Sequence, residues 1–268
     1  ALAVAYPNLP EISGLTDYRP KLPMRIYAAD GVLLGEFGEE RRNFVSAADM
    51  PAVMKNAVLA IEDARFYQHG GVDYLGILRA GLANFGESRS QGASTITMQV
   101  ARNFYLSTEK TFTRKIYEIL LALKIESLLT KDQILELYMN QIYLGQRAYG
   151  FASASEVYFG KPLKSVSIAE AAMLAGLPKA PSAYNPIANP KRATIRQLHI
   201  IDRMLENGFI TPEQREEARN QRLAYRTPSE TPTHGEYAAE AARQLIYAQY
   251  GEDSYTLGLH VHLTVKSS

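Results

Sequence analysis

Hydrophobic positions recur with a helical period over most of the chain. Val53, Ala57 and Ile61 lie at four-residue intervals, and neighbouring alanines fill the same stripe, which is typical of a buried helix face. Similar patterns predict helices near residues 51–66, 73–84, 94–105, 111–128, 131–141, 150–157, 167–175, 190–206 and 212–220. We therefore expect a chain that is helical almost throughout its central part.

The two ends of the chain show a different pattern. Four prolines within residues 7–23 predict an extended linker. Asp30-Gly31 then separates two short apolar runs, which predicts a hairpin. Near the other end, one more predicted helix precedes the strand-like sequence GLHVHLTV. His260 and His262 alternate in that strand, which favours one solvated strand face over a pair of metal ligands.

Composition narrows the possible functions. The 268 residues carry a net charge of +1, so no global field points to nucleic acid, and any anion site must be local. The chain has no cysteine, which excludes thiol catalysis, disulfides and cysteine-ligated metals. No stretch reaches the roughly 18 apolar residues that a membrane span needs, although the apolar opening ALAVAYPNLP is typical of the end of an anchor.

The first candidate for chemistry is the sequence AIEDARFYQHGGVD, in which Glu62 and Asp63 follow an apolar run. Glu62 lies at the border of the expected buried face, with Phe66 one turn further on. Such a carboxylate can have a raised pKa and act as a base or an acid. The alternative is a solvated helix end with Arg65 paired to Asp63 or Glu62, and for a single Glu that alternative is the more common one.

Two later stretches place polar residues on predicted helices. Gly92 precedes a helix that Ser94 or Thr95 can cap. The backbone N–H groups at such a helix start suit a phosphate oxygen, and an ordinary N-cap is the alternative. Glu136 and Asn140 lie one turn apart in KDQILELYMN, which on its own predicts a hydrogen-bonded contact within the helix.

The stretch RKIYE belongs to a cluster of cations. Arg114 and Glu118 are four residues apart, and a surface salt bridge would explain them. However, their helix is apolar on most sides, and charges on a buried helix need another reason. Arg102, Lys110, Arg114 and Lys115 lie within fourteen residues, and together they can meet a pyrophosphate.

Five stretches, taken in order, resemble a known family. EDARFYQHGGVD, GASTITMQ, RKIYE, KDQILELYMN and RQLHII resemble the successive motifs of the family 51 glycosyltransferases. These are the peptidoglycan polymerases of class A penicillin-binding proteins and of their monofunctional relatives. Five motifs in the right order are far more specific than any one of them. The segment before the first motif also resembles the juxtamembrane start of one member of this group.

The resemblance implies a fold and a setting. The fold would be mainly α and lysozyme-like, with a globular head lobe, a smaller membrane-facing jaw lobe and short β segments at both ends. Residues 1–25 would be a juxtamembrane linker, and residues 26–225 the glycosyltransferase domain. Residues 226–268 would be a linker helix and strand leading toward a transpeptidase domain absent from this chain. We expect a single-pass anchor, likewise absent, in the bacterial inner membrane, with the domain on the periplasmic face.

The resemblance also implies a reaction. The enzyme would polymerise lipid II into β-1,4-linked glycan strands by inverting transfer, with release of undecaprenyl pyrophosphate. Glu62 would be the general base on the 4-hydroxyl of the acceptor sugar. Glu118 would be the second essential carboxylate, assisting departure of the pyrophosphate directly or as a ligand of a divalent metal, Mg or Mn. The substrate-binding positions carried over are Asp63, Phe66, His69, Gly92, Ser94, Thr95, Gln99, Arg102, Lys110, Arg114, Lys115, Glu136, Asn140 and Arg196.

The sequence departs from the family pattern at several of these positions. Met98 stands where the family usually repeats Gln, Arg102 where Lys is common, and Lys110 where Arg is usual. Ile200-Ile201 replaces Val-Leu in the fifth motif. The charge exchanges keep the sign but change the geometry of the hydrogen-bond donors at the phosphates.

Two other functions remain to be compared with polymerisation. A lysozyme-like hydrolase would use a Glu and a second carboxylate on the same glycan, but it would have no pyrophosphate for the cations to neutralise. A non-catalytic glycan-binding scaffold would predict loss of one carboxylate, and both are present. The expected partners are lipid II, the growing lipid-linked strand, the inner membrane and other cell-wall synthesis proteins. Moenomycin-type inhibitors are expected as ligands, and nucleic acid is not.

Overall fold

The computed structural model describes residues 9–15, 18, 20–38, 41–76, 78, 94–106, 112–226 and 235–267. Its helices are α1 (Ala52–Glu62), α2 (Ile96–Tyr105), α3 (Phe112–Leu128), α4 (Lys131–Gln141), α5 (Phe151–Phe159), α6 (Ile168–Ala175), α7 (Pro190–Glu206), α8 (Pro212–Asn220) and α9 (Glu236–Tyr250). Its strands are β1 (Met24–Tyr27), β2 (Leu33–Phe37), β3 (Arg41–Arg42), β4 (Ala148–Tyr149) and β5 (His260–His262). The fold is therefore mainly α, as predicted.

Most predicted helices are confirmed, several of them to the residue. The helices predicted near 131–141, 190–206 and 212–220 have those bounds in the structure. The helix predicted near 73–84 lies largely outside the described residues. Among the described helices, none has both the length and the apolarity needed to cross a membrane.

Helix α1 lies at the centre of the main core, packed against α6 and α7. Because it has neighbours on two sides, its buried face is wider than the predicted stripe. Ala57 is buried as expected, and so are Met54 and Val58. Val53 and Ile61 are only half-buried. The predicted buried face is confirmed, since Ala57 and Ala60 are buried and Val53 and Ile61 pack against the same core.

The segment that was expected to be an extended linker is partly folded onto this core. Leu9, Ile12 and Leu15 are buried in the same hydrophobic cluster as α1, and Ser13–Leu15 form a turn of 3₁₀-helix. The expectation of an extended linker is wrong for this part of the segment, because three apolar side chains there find places in the core.

A small sheet joins the two ends of the described chain. Its strand order is β2-β1-β5. The hairpin predicted at Asp30-Gly31 is confirmed by the antiparallel pairing of β1 with β2, and β5 pairs with β1 in parallel. The sheet forms a second hydrophobic cluster with α9. His260 and His262 are exposed and both contact the Tyr27 ring, which confirms the predicted solvated strand face.

Candidate active site

Glu62 is the last residue of α1 and lies in a partly enclosed position. Its side chain is 14% exposed, and its Oε1 lies 3.9 Å from Nη2 of Arg196. Gln99 Nε2 donates a hydrogen bond to its Oε2 at 2.9 Å. Burial raises the pKa of Glu62 above its ordinary value, and this outweighs the Gln99 hydrogen bond and the charges of Arg196, Arg102 and Lys179, which lower it. This direction agrees with the first of the two interpretations of Glu62 made from the sequence.

The alternative of a solvated helix end is wrong. Arg65 does not pair with either neighbouring carboxylate; its Nε instead lies 3.8 Å from Oδ1 of Asp73. Helix α1 ends at Glu62, four residues before the predicted end, because Asp63 leaves the helical conformation. This places the Glu62 side chain at the end of a buried helix and beside the first turns of α2.

Asp63 holds the loop and the helix that complete the site. His69 Nδ1 accepts a hydrogen bond from the Gly71 N–H at 3.1 Å, so the proton is on Nε2, which donates to the Asp63 carboxylate at 2.9 Å. The Ile96 N–H donates to the same carboxylate at 3.1 Å. Asp63 and His69 therefore position the start of α2, and their side chains are almost fully buried.

The start of α2 is an ordinary N-cap. Thr95 accepts a hydrogen bond from the Met98 N–H at 3.2 Å and donates one to the Gly71 carbonyl at 2.6 Å. Because Asp63 and Thr95 already occupy two amides of the first turn, the expected role of this helix start in holding a phosphate is not supported. Thr95 is buried but also lines the cavity beside Glu62, so its contact with a substrate stays a prediction. Gly92 lies outside the described residues.

Glu118 is the centre of the cation cluster. Its side chain is 1% exposed, and Arg114 Nε lies 3.2 Å from its Oε1. Lys115 Nζ lies 3.0 Å from its Oε2, and Arg102 Nη1 lies 3.9 Å from its Oε1. Lys115 also donates to the Ser94 hydroxyl at 2.6 Å. The interpretation of Arg114 and Glu118 as a surface salt bridge is therefore wrong, because three cations converge on one buried carboxylate. Lys110 lies outside the described residues.

The residues around Glu118 do not fit a divalent metal held by the protein. Magnesium and manganese take several oxygen ligands, but both oxygens of Glu118 face cations. Across the described ranges, no group of three or more His, Asp or Glu residues could hold a metal ion. The resemblance implied that Glu118 could be a ligand of a divalent metal. The side chains around Glu118 do not supply the further oxygen ligands that such a metal needs.

Three positions expected to bind substrate belong to the framework. Phe66 is fully buried in the core, where Lys131 lies 4.4 Å from its ring centre. Glu136 accepts a hydrogen bond from the Ala47 N–H at 2.7 Å. Asn140 pairs with both backbone groups of Val45, at 2.8 and 2.7 Å. These contacts show how the three residues hold the protein together, and their contact with a substrate stays a prediction.

Arg196 reaches the site from α7, as expected, together with residues that the sequence did not indicate. Its Nε donates to the Gly176 carbonyl at 3.0 Å, and its guanidinium lies 5.1 Å from the ring centre of Tyr184. Tyr138 on α4 was also missed: its hydroxyl is buried without a hydrogen-bond partner among the described residues. Burial and the charge of Glu62 raise the pKa of Tyr138 well above its ordinary value. Tyr184 stands in the Pro-rich stretch before α7, and no local pattern there indicates its contact with Arg196.

A cavity opens beside Glu62 and Asp63, at the end of α1. It has a volume of about 200 Å³, and its lining includes Glu62, Asp63, Arg65, Asp73, Ser94 and Arg203. A larger cavity of about 740 Å³ lies beside β2 and the turn after α9, and none of the predicted site residues lines it. Size alone therefore does not identify a reacting centre, and the carboxylate with a raised pKa makes the smaller cavity the better candidate.

Known proteins share both this sequence and this fold. Residues 30–205 match the model of a family described as Transglycosylase. Penicillin-binding protein 1A of Neisseria lactamica is 56% identical over the whole of this chain, and that of Escherichia coli K12 is 48% identical over 97% of it. The crystal structure of penicillin-binding protein 1A from Haemophilus influenzae matches 91% of the chain with a TM-score of 0.52 and 30% identity.

The comparisons cover only part of each relative. The chain spans about a third of their length, namely 34% of the Neisseria protein, 31% of the Escherichia protein and 27% of the Haemophilus structure. The assignment made from the five motifs is confirmed, and the member whose juxtamembrane start resembled this chain is penicillin-binding protein 1A.

Proposed function

The chain belongs to the transglycosylase family, and from this premise we propose that it is a peptidoglycan glycosyltransferase that polymerises lipid II. One observation carries the proposal: a carboxylate with a raised pKa and a separate group of three cations are joined by one helix. Gln99 of α2 contacts Glu62, and Arg102, one turn further along α2, approaches Glu118. A base and a site for a leaving anion are what a diphosphate displacement requires.

The acceptor side of the reaction uses Glu62. Its ionised carboxylate takes the proton from the 4-hydroxyl of the acceptor sugar while that oxygen attacks C1 of the donor. The new C1–O bond forms on the face opposite the bond that breaks, so the anomeric configuration inverts and gives a β-1,4 link. The raised pKa makes Glu62 a stronger base than an ordinary Glu. The proton is afterwards lost to solvent.

The donor side uses the cations. As the bond between C1 and the diphosphate oxygen breaks, its electron pair leaves with undecaprenyl pyrophosphate. Arg102, Arg114 and Lys115 neutralise the charge that develops there, and donors fixed in advance are the most effective arrangement for this purpose. The same cations argue against a hydrolase, which releases no pyrophosphate.

Glu118 acts through the cations. With its side chain 1% exposed, it is shielded from a substrate, so a direct contact with the pyrophosphate does not fit its burial. We propose instead that it is a positioning residue, which holds Arg114 and Lys115 together against their mutual repulsion. No step of this mechanism needs a metal.

The setting follows from the substrate. Lipid II is held in a bilayer by its polyprenyl chain, so we place the reaction at the periplasmic surface of the bacterial inner membrane, with a single-pass anchor. Other cell-wall synthesis proteins as partners and moenomycin-type compounds as inhibitors belong to the same proposal.

The test is polymerisation of labelled lipid II, resolved on a gel that separates glycan strands by length. The parent chain should make strands, and the Glu62→Gln variant should make them about 10²–10⁴-fold more slowly, the range for losing a general base. Glu217→Gln is the matched control, because Glu217 is exposed on α8. Shortening of preformed strands by the parent would favour a hydrolase, and an unchanged rate for Glu62→Gln would remove Glu62 from the mechanism.

A further inference from the structure

A second group of cations lies near Glu62, on different elements from the first. Arg192 and Arg196 are one turn apart on α7, and their guanidinium groups lie 5.2 and 5.1 Å from the centre of the Tyr184 ring. We call these three residues the Tyr184 site. The ring contacts both guanidinium groups, which holds two like charges close together.

In the described part of the chain, this arrangement has fewer acids than cations. Within the described residues, Arg192 forms no ion pair, and the carboxylate atom that approaches Arg196 is Glu62 Oε1, at 3.9 Å. Like charges one turn apart repel each other, whereas a contact with an aromatic ring offsets only about 0.5–1 kcal/mol at an exposed site. Two arginines accompanied by the Glu62 carboxylate, which lies 3.9 Å from only one of them, are suited to an anion with several oxygens, and phosphate groups are the best match.

The position of the Tyr184 site relative to Glu62 indicates which anion the site binds. In the proposed function, both substrates are lipid-linked saccharides with a diphosphate, and the donor's diphosphate meets the cations around Glu118. The acceptor keeps its own diphosphate, which is one disaccharide away from the hydroxyl that reacts at Glu62. Arg196 is close to Glu62, and Arg192 lies a further turn away, about 6 Å along the helix axis. The two arginines therefore lead away from the base, as the acceptor must.

We infer that the Tyr184 site binds the diphosphate of the acceptor, with Arg192 as its main contact and Arg196 between that diphosphate and Glu62. This inference rests on the proposed function and extends it to the second substrate. Tyr184 acts as a positioning residue for the two guanidinium groups. An anionic lipid headgroup has the same phosphate chemistry, and exposed Ile187 and Ile195 lie nearby in the sequence, so the test must separate the two sources.

The first arm measures steady-state strand synthesis in detergent micelles that contain no phospholipid. During elongation the growing strand stays bound as donor, so KM for lipid II reports on the acceptor. A charged hydrogen bond to phosphate is worth about 1.5–3 kcal/mol, so Arg192→Gln should raise KM about tenfold or more, with kcat little changed. Tyr184→Leu should raise KM similarly, and Tyr184→Phe, which keeps the ring, should restore the parental value.

The control is Arg222→Gln, a change at an exposed arginine for which the structure shows no contact with the site; its KM should equal that of the parent. Arg192 is itself exposed, so its variant should fold, which a melting curve verifies. Strand synthesis by the parent but not by Glu62→Gln would support the proposed function. If Arg192→Gln and Tyr184→Leu then both keep the parental KM, the inference is overturned while the proposed function stands. If the folded parent makes no strands, the proposed function fails and this inference fails with it.

The second arm measures sedimentation of the chain with vesicles of phosphatidylglycerol, compared with vesicles of phosphatidylcholine. For an acceptor site, Arg192→Gln should bind both kinds of vesicle as the parent does while its KM in micelles is raised. Loss of binding to phosphatidylglycerol with an unchanged KM would assign the arginines to a lipid headgroup and overturn the acceptor assignment.

Discussion

The raised pKa of Glu62 predicts that Glu62→Gln stabilises the fold at neutral pH, although the same change should lower the activity. Burial disfavours the ionised carboxylate, so the fold binds this proton more tightly than the unfolded chain does. The stability that Glu62 contributes is complete below its ordinary pKa of 4.5 and is lost as the pH rises through its pKa in the fold. At neutral pH the parent therefore carries a cost that Glu62→Gln removes.

The size of the gain follows from how far the pKa of Glu62 is raised. A pKa that is higher by one in the fold corresponds to about 1.4 kcal/mol of unfolding free energy. The raised pKa is a net effect, because it already includes the opposing effects of Gln99 and Arg196. For a domain of this size, 1 kcal/mol raises Tm by about 2–4 °C. Gln is isosteric with Glu and can still accept the hydrogen bond from Gln99. We therefore expect the Tm of Glu62→Gln to lie above that of the parent at neutral pH.

The assay is thermal unfolding of the parent and of Glu62→Gln between pH 4 and pH 8. The difference in Tm should be close to zero at the acid end and should grow as the pH rises. Glu217→Gln, which removes an exposed carboxylate, provides the baseline for loss of one charge. A difference that is equally large at pH 4 and pH 8, or a variant that melts below the parent at neutral pH, would refute the reasoning.

Four further outcomes are expected. Gln99→Leu removes the hydrogen bond that favours ionised Glu62, so the acid limb of the pH profile of kcat/KM should move to higher pH. Arg114→Met removes a close partner of buried Glu118 and should lower the unfolding free energy by about 1.5–3 kcal/mol, measured by urea titration. Asn140→Leu leaves two backbone groups of Val45 without their side-chain partner and should cost about 1–3 kcal/mol or more in the same assay, while the rate of strand synthesis per folded molecule stays close to that of the parent. Addition of EDTA should leave strand synthesis unchanged, because the donor set at Glu118 does not fit a metal; a loss of activity that only magnesium or manganese restores would contradict this.

Helix positions could be predicted from the sequence because their causes are local. Helix α4 starts at a capping box formed by Thr130 and Gln133, and α7 and α8 start at prolines, which are strong sequence signals. The end of α1 could not be predicted in this way. Asp63 leaves the helix to pair with His69 and the Ile96 N–H, and these partners are set by tertiary structure.

The site could be predicted only in part, because a motif contains both residues of the candidate site and residues that hold the framework. Glu62 and the cations around Glu118 were identified from the residues and the resemblance together, and the structure brings each group together. Asn140 and Phe66 belong to the same motifs but hold the framework. Tyr184 lies outside all five motifs, and its relation to Arg196 is established only when α7 packs beside it.

The adjacent carboxylates Glu62 and Asp63 have different tasks because the chain changes direction between them. Glu62 ends α1 and faces Gln99 of α2, whereas Asp63 accepts the Ile96 N–H at the start of that same helix. One carboxylate therefore fixes the helix that supplies the hydrogen bond to the other. Since Arg102 on the same helix approaches Glu118, a displacement of α2 would disturb the base and the leaving-group cations at once. This coupling gives a second acid, held by His69 and the Ile96 N–H, a structural reason to stand directly beside the proposed base.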